Sequence, residues 1–249
     1  MAFKERDTRG HCEEYLKYMP YPHTNINNHS SAYGSQATVI IGTDDDKRIF
    51  HVDHSLLTFY SGYFRAALSG RWTAAEDDAI RLDTETPRTF ERFAWLYTRS
   101  ITDDDDEKAN CQLIIDLWLF ADRREIPLLM NEMLDALKDR IVTEKTIPTT
   151  LLGTTYERTM PGSALRRMIV HAITNTASER LMADDSEKGL WPHDALWDTA
   201  KELLRFPRQQ PVGIASYNAM DICPLFHTHE EGVRCVNKGT KRSSEEMAE

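Results

Sequence analysis

No apolar run in this 249-residue sequence approaches the roughly 20 residues that a helix needs to cross a bilayer. The opening stretch MAFKERDTRG is charged and has no signal-peptide core. These absences lead to the expectation of a soluble intracellular protein, cytoplasmic or nuclear, with no membrane contact. Cysteine is sparse as well. Four residues at wide, irregular spacing do not make a disulfide framework and agree with a reducing compartment. Basic charge is in deficit, with 30 Lys and Arg against 40 Asp and Glu and a formal net charge of -10. An acidic chain repels phosphate backbones, and no predicted helix carries a basic stripe, so nucleic-acid binding is not expected.

Catalytic signatures are missing too. There is no G-x-S-x-G elbow, no G-x-x-x-x-G-K phosphate loop, no G-x-G-x-x-G and no H-E-x-x-H. The nearest approach to a triad is His51, Asp53, His54 and Ser55. These residues are almost consecutive, which scatters their side chains over opposite faces of a strand and a helix start, whereas working triads assemble from distant segments. A non-enzymatic protein is expected.

What the chain does have is 41% hydrophobic residues, enough to bury a sizeable core at this length. Its organising stretch is Arg48 to Leu68, which switches from strand-like alternation at Phe50 and Val52 to helical spacing at Leu56, Leu57, Tyr60, Tyr63, Phe64, Ala67 and Leu68. Ser61 and Gly62 interrupt that second pattern, so one short helix is expected to end near Tyr60 and another to start at Ser61, their aromatic side lining the core. Before this stretch, Ala37 to Gly42 reads as a strand and Gly42 to Asp46 as the turn of a hairpin. The acidic turn lacks the Gly and distal Glu of a calcium loop and is expected to be solvated. Residues 1–36 are polar and turn-rich and are expected to be flexible, with at most one amphipathic turn at Tyr15, Leu16 and Met19.

Beyond the hairpin, Ala79 to Leu82 reads as a short strand. Thr86 and Pro87 open a helix whose buried face is Phe90, Phe93, Ala94 and Tyr97. Five acids at 103–107 precede a helix over Cys111 to Arg123 that is apolar nearly all round and is expected to be central, with Trp118 and Phe120 in the core. An amphipathic helix follows over Leu128 to Ile141. Thr143 to Gly162 looks like a connector with one helical turn at most. Ser163 then caps a helix to Ala177 with the stripe Leu165, Met168, Ile169, Ala172 and Ile173. A last helix is expected from His193 to Leu204, burying Leu196, Trp197, Ala200, Leu203 and Leu204.

The run F-x-V-x-x-x-L-L-x-x-x-S-x-Y-F-R-A-A-L from Phe50 to Leu68 resembles the BTB/POZ domain, especially the compact BTB proteins of fungi. Phe90 to Ile101 and Leu113 to Leu128 are similar to later blocks of that family, and Gly162 to Val170 is a weaker echo. The resemblance implies an α/β (α+β) fold, a small sheet with surrounding helices at about 37–140. A flexible segment would precede it at 1–36, a helical extension follow at 141–210, and a Cys/His-containing tail close the chain at 211–249. It further implies an adaptor or scaffold that binds other proteins, with homodimerisation, transcriptional partners or cullin-3 as the family's options. Its alternatives are a cullin-3 ubiquitin-ligase substrate adaptor and a zinc-containing structural protein. Cullin-binding members carry a hydrophobic-x-Glu motif, and the aligned positions here are Trp72 and Ala74, with Glu76 two residues late. Cullin-3 binding is therefore expected to be weak or absent. Gln36 stands where the family opens its first strand with Asp, and Asp53 where it has His, so a dimer interface built on that buried charge pair is not expected.

One cluster is not absorbed by the resemblance: Cys223, His227, His229 and Cys235 in CPLFHTHEEGVRC. Two thiols and two imidazoles can supply a tetrahedral structural zinc site. His227 and His229 lie two apart and would share one side of an extended segment, while a Cys223–Cys235 disulfide would not persist inside a cell. The competing reading is a polar tail whose thiols and imidazoles have nothing to do with one another. The lack of C-x₂-C and H-x₃₋₅-H spacing favours that second reading.

Overall fold

The computed structural model describes residues 36–43, 46–69, 79–98, 110–176, 189–205 and 213–229, with the side chains of 94–98 left out. The expected N-terminal turn, Asp44 and Asp45, the Trp72–Ala74–Glu76 loop, the acids at 103–107, Cys235, and the side chains of Ala94 and Tyr97 lie outside the described residues.

Strand β1 (Gln36–Ile41) pairs antiparallel with β2 (Arg48–Asp53), placing Val39 opposite Phe50 and Ala37 opposite Val52. On its other edge β1 pairs in parallel with β3 (Ala79–Leu82), giving the order β2-β1-β3. A parallel pair needs a crossover. Two short helices fall within this one, α1 (His54–Tyr60) and α2 (Gly62–Ala67). The hairpin turn requires Gly42, which sits at φ +77° and where a Cβ would come within 2.9 Å of the Asp46 carbonyl oxygen.

Asp53 caps α1 by accepting the backbone N–H groups of Ser55 (2.8 Å) and Leu56 (3.1 Å) and the Ser55 hydroxyl. Ser61 closes α1 and opens α2. Its hydroxyl accepts from Phe64 N (3.1 Å) and donates to the Arg124 carbonyl (2.5 Å). Gly62 N donates to the Glu125 carbonyl at 3.1 Å, so the joint between the two helices lies against the turn that follows the central helix. A side chain at Gly62 would collide with Glu125 there, its Cβ reaching 2.2 Å from the carboxylate. The sequence break at Ser61–Gly62 is thus a docking point as well as a helix end.

Thr86 and Pro87 open α3 (Pro87–Thr98) as expected, with Thr86 Oγ1 accepting from Thr89 N. Asn110 caps the central helix α4 (Cys111–Arg123), whose residues Leu113–Ile115 and Leu117–Ala121 are all buried. The aromatic residues expected to line the core meet here. Phe120 lies 5.0 Å from Phe93 and 6.1 Å from Phe90, and Phe50 packs on Phe90 at 4.9 Å. Helix α5 (Pro127–Glu144) packs along α4 and buries Leu129, Met133, Leu134, Leu137 and Ile141.

The expected connector is more structured than its Pro and Gly content suggested. A 3₁₀ turn (Thr149–Leu151) runs into α6 (Leu152–Arg158), which buries Leu152, Thr155 and Tyr156. Helix α7 (Ala164–Thr176) buries the expected stripe and also Arg166. That guanidinium donates to Thr159 Oγ1 (2.8 Å) and to the Tyr156 (2.5 Å) and Thr159 carbonyls, and lies 4.3 Å over the Tyr156 ring. It supplies donors to carbonyls that the end of α6 would otherwise leave unpaired.

Helix α8 (His193–Arg205) overturns an expectation. It packs against α7 through Ala195 and Thr199, while Leu196, Trp197, Ala200, Leu203 and Leu204 are exposed. Small residues four apart let two helix backbones approach, and the large apolar side chains point away. Two further helices, α9 (Gly213–Ala219) and α10 (Cys223–Phe226), fall in the stretch read as a tail. They bury Tyr217, Ile222 and Phe226 in the same continuous core that includes β1.

The Tyr217 hydroxyl is buried with no hydrogen-bond partner among the described residues, and burial drives its pKa well above the ordinary phenol value. Tyr217→Phe is expected to leave stability unchanged or raise it by up to about 1 kcal/mol, because it removes an unpaired buried dipole at nearly constant volume. Thermal melts of both proteins check this, and a clear loss would mean that the hydroxyl is satisfied after all.

Candidate functional site

The polar residues of α5 decide where the C-terminal segment goes. Asn131, Asp135 and Lys138, spaced i, i+4 and i+7, share one side of that helix. Asn131 is buried and pairs twice with the backbone of Thr228, donating to its carbonyl (2.9 Å) and accepting its N–H (2.8 Å). Lys138 Nζ donates to the carbonyls of Asn218 (2.9 Å) and Met220 (2.5 Å). From α7, Arg167 donates to the Leu225 carbonyl at 2.9 Å, and His171 packs on the Phe226 ring at 5.2 Å. The segment after α9 is therefore fastened from two helices.

This fastening brings the sequence cluster together in part. Cys223 opens α10, its N–H donating to Asp221 Oδ1 at 3.0 Å, and the helix stops at His227, where the chain becomes extended. Cys223 Sγ lies 3.3 Å from His229 Nε2, and the His227 and His229 rings are 5.7 Å apart. One ligand atom from each of Cys223, His227 and His229 lies within 4.8 Å of the other two. The His227 side chain is only 2% exposed, with Nε2 3.3 Å from Asp135 Oδ1. Burial, and then the neighbouring His227 ring, push the His229 imidazole below its ordinary pKa and so toward the neutral form that ligates metals. Cys235 lies outside the described residues.

Asp135 and Asn131 have no counterpart in the sequence reading. The signal was a set of polar residues recurring on a helix that is otherwise core-facing. The other set considered, His51, Asp53, His54 and Ser55, forms no catalytic arrangement: Asp53 is engaged as the α1 cap and the His51 ring lies 3.4 Å from Thr38 Oγ1.

A second surface is the outward face of α8, where Trp197 is 65% and Leu204 82% exposed among the described residues. No helix among the described residues is long and apolar enough to cross a membrane.

A three-stranded sheet with one parallel and one antiparallel pair, a helical hairpin in the crossover and a helical extension define a small α+β domain. Residues 27–139 match the family model of the BTB/POZ domain, and this part of the chain is a BTB/POZ domain. That domain is a protein–protein interaction module. No curated protein matches the chain.

Proposed function

We propose that this protein is a non-catalytic intracellular adaptor or scaffold that holds a second protein through its BTB/POZ domain. The observation that carries the reading is the BTB/POZ match over residues 27–139 on the α+β fold just described. The outward apolar stripe of α8 supports it, since contiguous apolar surface on a folded protein marks contact with another macromolecule. Cullin-3 is not the partner this reading favours. Ala74 stands where cullin-binding relatives have Glu, and the loss of that carboxylate removes a charge-assisted hydrogen bond from such an interface. Asp53, at the family's His position, is engaged in capping α1, so self-association through a charge pair at that position is not favoured either.

The test is affinity purification from the native cell, scored for cullin-3 and for a second copy of the chain, with sedimentation of the purified protein. A partner protein retained in stoichiometric amount is expected, with no sub-micromolar titration by cullin-3. Trp197→Asp should change stability by no more than about 0.5 kcal/mol, as exposed substitutions do, while weakening any partner seated on α8. A protein that sediments as a monomer and retains no partner would overturn the adaptor reading, and tight cullin-3 binding would replace it with the ligase-adaptor alternative.

A further inference from the structure

We propose that Cys223, His227 and His229 form a zinc site that fastens the C-terminal segment onto α5, with the Asp135 carboxylate orienting the His227 ring. A thiol–imidazole hydrogen bond would explain Cys223 and His229 alone. It does not explain why a ligand atom of His227 also comes within 4.8 Å of both. Zinc–sulfur and zinc–nitrogen bonds of about 2.3 and 2.0 Å at a tetrahedral angle separate the two ligand atoms by about 3.5 Å. The Cys223 Sγ to His229 Nε2 separation is 3.3 Å, so this edge of the tetrahedron needs almost no rearrangement.

The surroundings fit a metal centre as well. A metal-bound histidine usually gives its other ring N–H to a carboxylate, which fixes the ring and strengthens it as a ligand. His227 has its Nε2 3.3 Å from Asp135 Oδ1 in a nearly fully buried position, which places that carboxylate beside the ring where such a partner would stand. Charge balances too. Cys223 binds as thiolate and releases its proton to solvent as Zn²⁺ enters, both imidazoles bind neutral, and the resulting single positive charge faces the negative Asp135. Mixed sulfur and nitrogen ligands select zinc over the hard cations magnesium and calcium. Because Thr228 between the two histidines is already paired with Asn131, the backbone that carries both rings is held before metal arrives. Among the described residues the site has three ligands, one short of a tetrahedron.

The experiment uses the untagged full chain, stripped with chelator, reloaded with zinc or cobalt and washed. About one zinc per chain is expected, with a thiolate-to-cobalt charge-transfer band in the near ultraviolet and a higher melting temperature with zinc than without. Cys223→Ser should abolish the charge-transfer band and lower bound zinc at least about tenfold. Asp135→Asn should keep the band and weaken zinc binding by about 10- to 100-fold, as loss of a partner behind a ligand does. If Cys223→Ser does not fold, His229→Asn and the wild-type cobalt spectrum decide the question. Fewer than about one zinc per ten reloaded wild-type chains, or a cobalt complex without the thiolate band, would overturn the site. Unchanged affinity in Asp135→Asn would remove the carboxylate from it.

Discussion

Replacing Phe120 with alanine is expected to lower the unfolding free energy by about 3 to 5 kcal/mol. The ring is fully buried on α4 and touches Phe93 and Phe90, which come from α3. Phe50 of β2 reaches it through Phe90. Removing it takes away the buried apolar surface and leaves a cavity between elements that are pinned elsewhere and so collapse poorly. α4 is held at its start by the Asn110 cap, and its C-terminal turn is held by the hydrogen bonds from Ser61 and Gly62. Urea unfolding checks this, with a shifted midpoint at unchanged slope as the expected signature. A loss below about 1 kcal/mol would mean that α4 is not the central helix.

Glu85→Ala should cost about 2 to 4 kcal/mol, chiefly through loss of its charge. The Glu85 carboxylate is buried in the loop between β3 and α3 and receives three charged hydrogen bonds from the end of α4. Arg123 contributes Nε (3.0 Å) and Nη2 (2.7 Å), and Arg124 contributes Nη2 (3.0 Å). Its removal leaves two guanidiniums facing each other without the anion between them. Because the Arg124 side chain is only 12% exposed, water does not replace the carboxylate fully. Arg123→Ala should cost less, about 1 kcal/mol, since Arg123 is more exposed and Arg124 still pairs with Glu85. Unfolding at low and high salt separates this pairing from a surface one, because a buried cluster is screened little. A Glu85→Ala protein as stable as the wild type would show that the cluster contributes nothing net.

The hairpin, the crossover helices and the central helix were legible because each carries a local signal. Phe50 and Val52 alternate, Asn110 is a good cap, and Leu113 to Phe120 is apolar at every position except Asp116. The orientation of α8 was not legible. Periodicity shows that Leu196, Trp197, Ala200, Leu203 and Leu204 share a face, but it does not say whether that face meets the core. Here Ala195 and Thr199 take that place, since small side chains permit a close approach to α7 and Thr199 satisfies its own hydroxyl on the Ala195 carbonyl at 2.8 Å. Helix α9 was missed because seven residues starting at a glycine with φ +80° have little propensity of their own, and it forms around the buried Tyr217. The Cys/His cluster was visible as composition. What gathers it, Asn131 and Asp135, lies some ninety residues earlier, and no local pattern links the two.

The pairing of Asn131 with Thr228 turns the stretch between them into a ring closed by side chain and backbone rather than by a covalent bond. Two connected pieces therefore need not be one polypeptide. A single cut at the exposed turn 160–162 would separate β1 through α6 from α7 through α10, yet each piece would keep half of an interlocking surface: Leu134 and Leu137 on one side, Met168, Ile169 and Tyr217 on the other. The two pieces would then be held together only by that shared core. The BTB/POZ region expressed without its C-terminal helices would instead present α5 to water and be poorly soluble, so shortening this protein to its recognised domain would remove part of the domain's own interior.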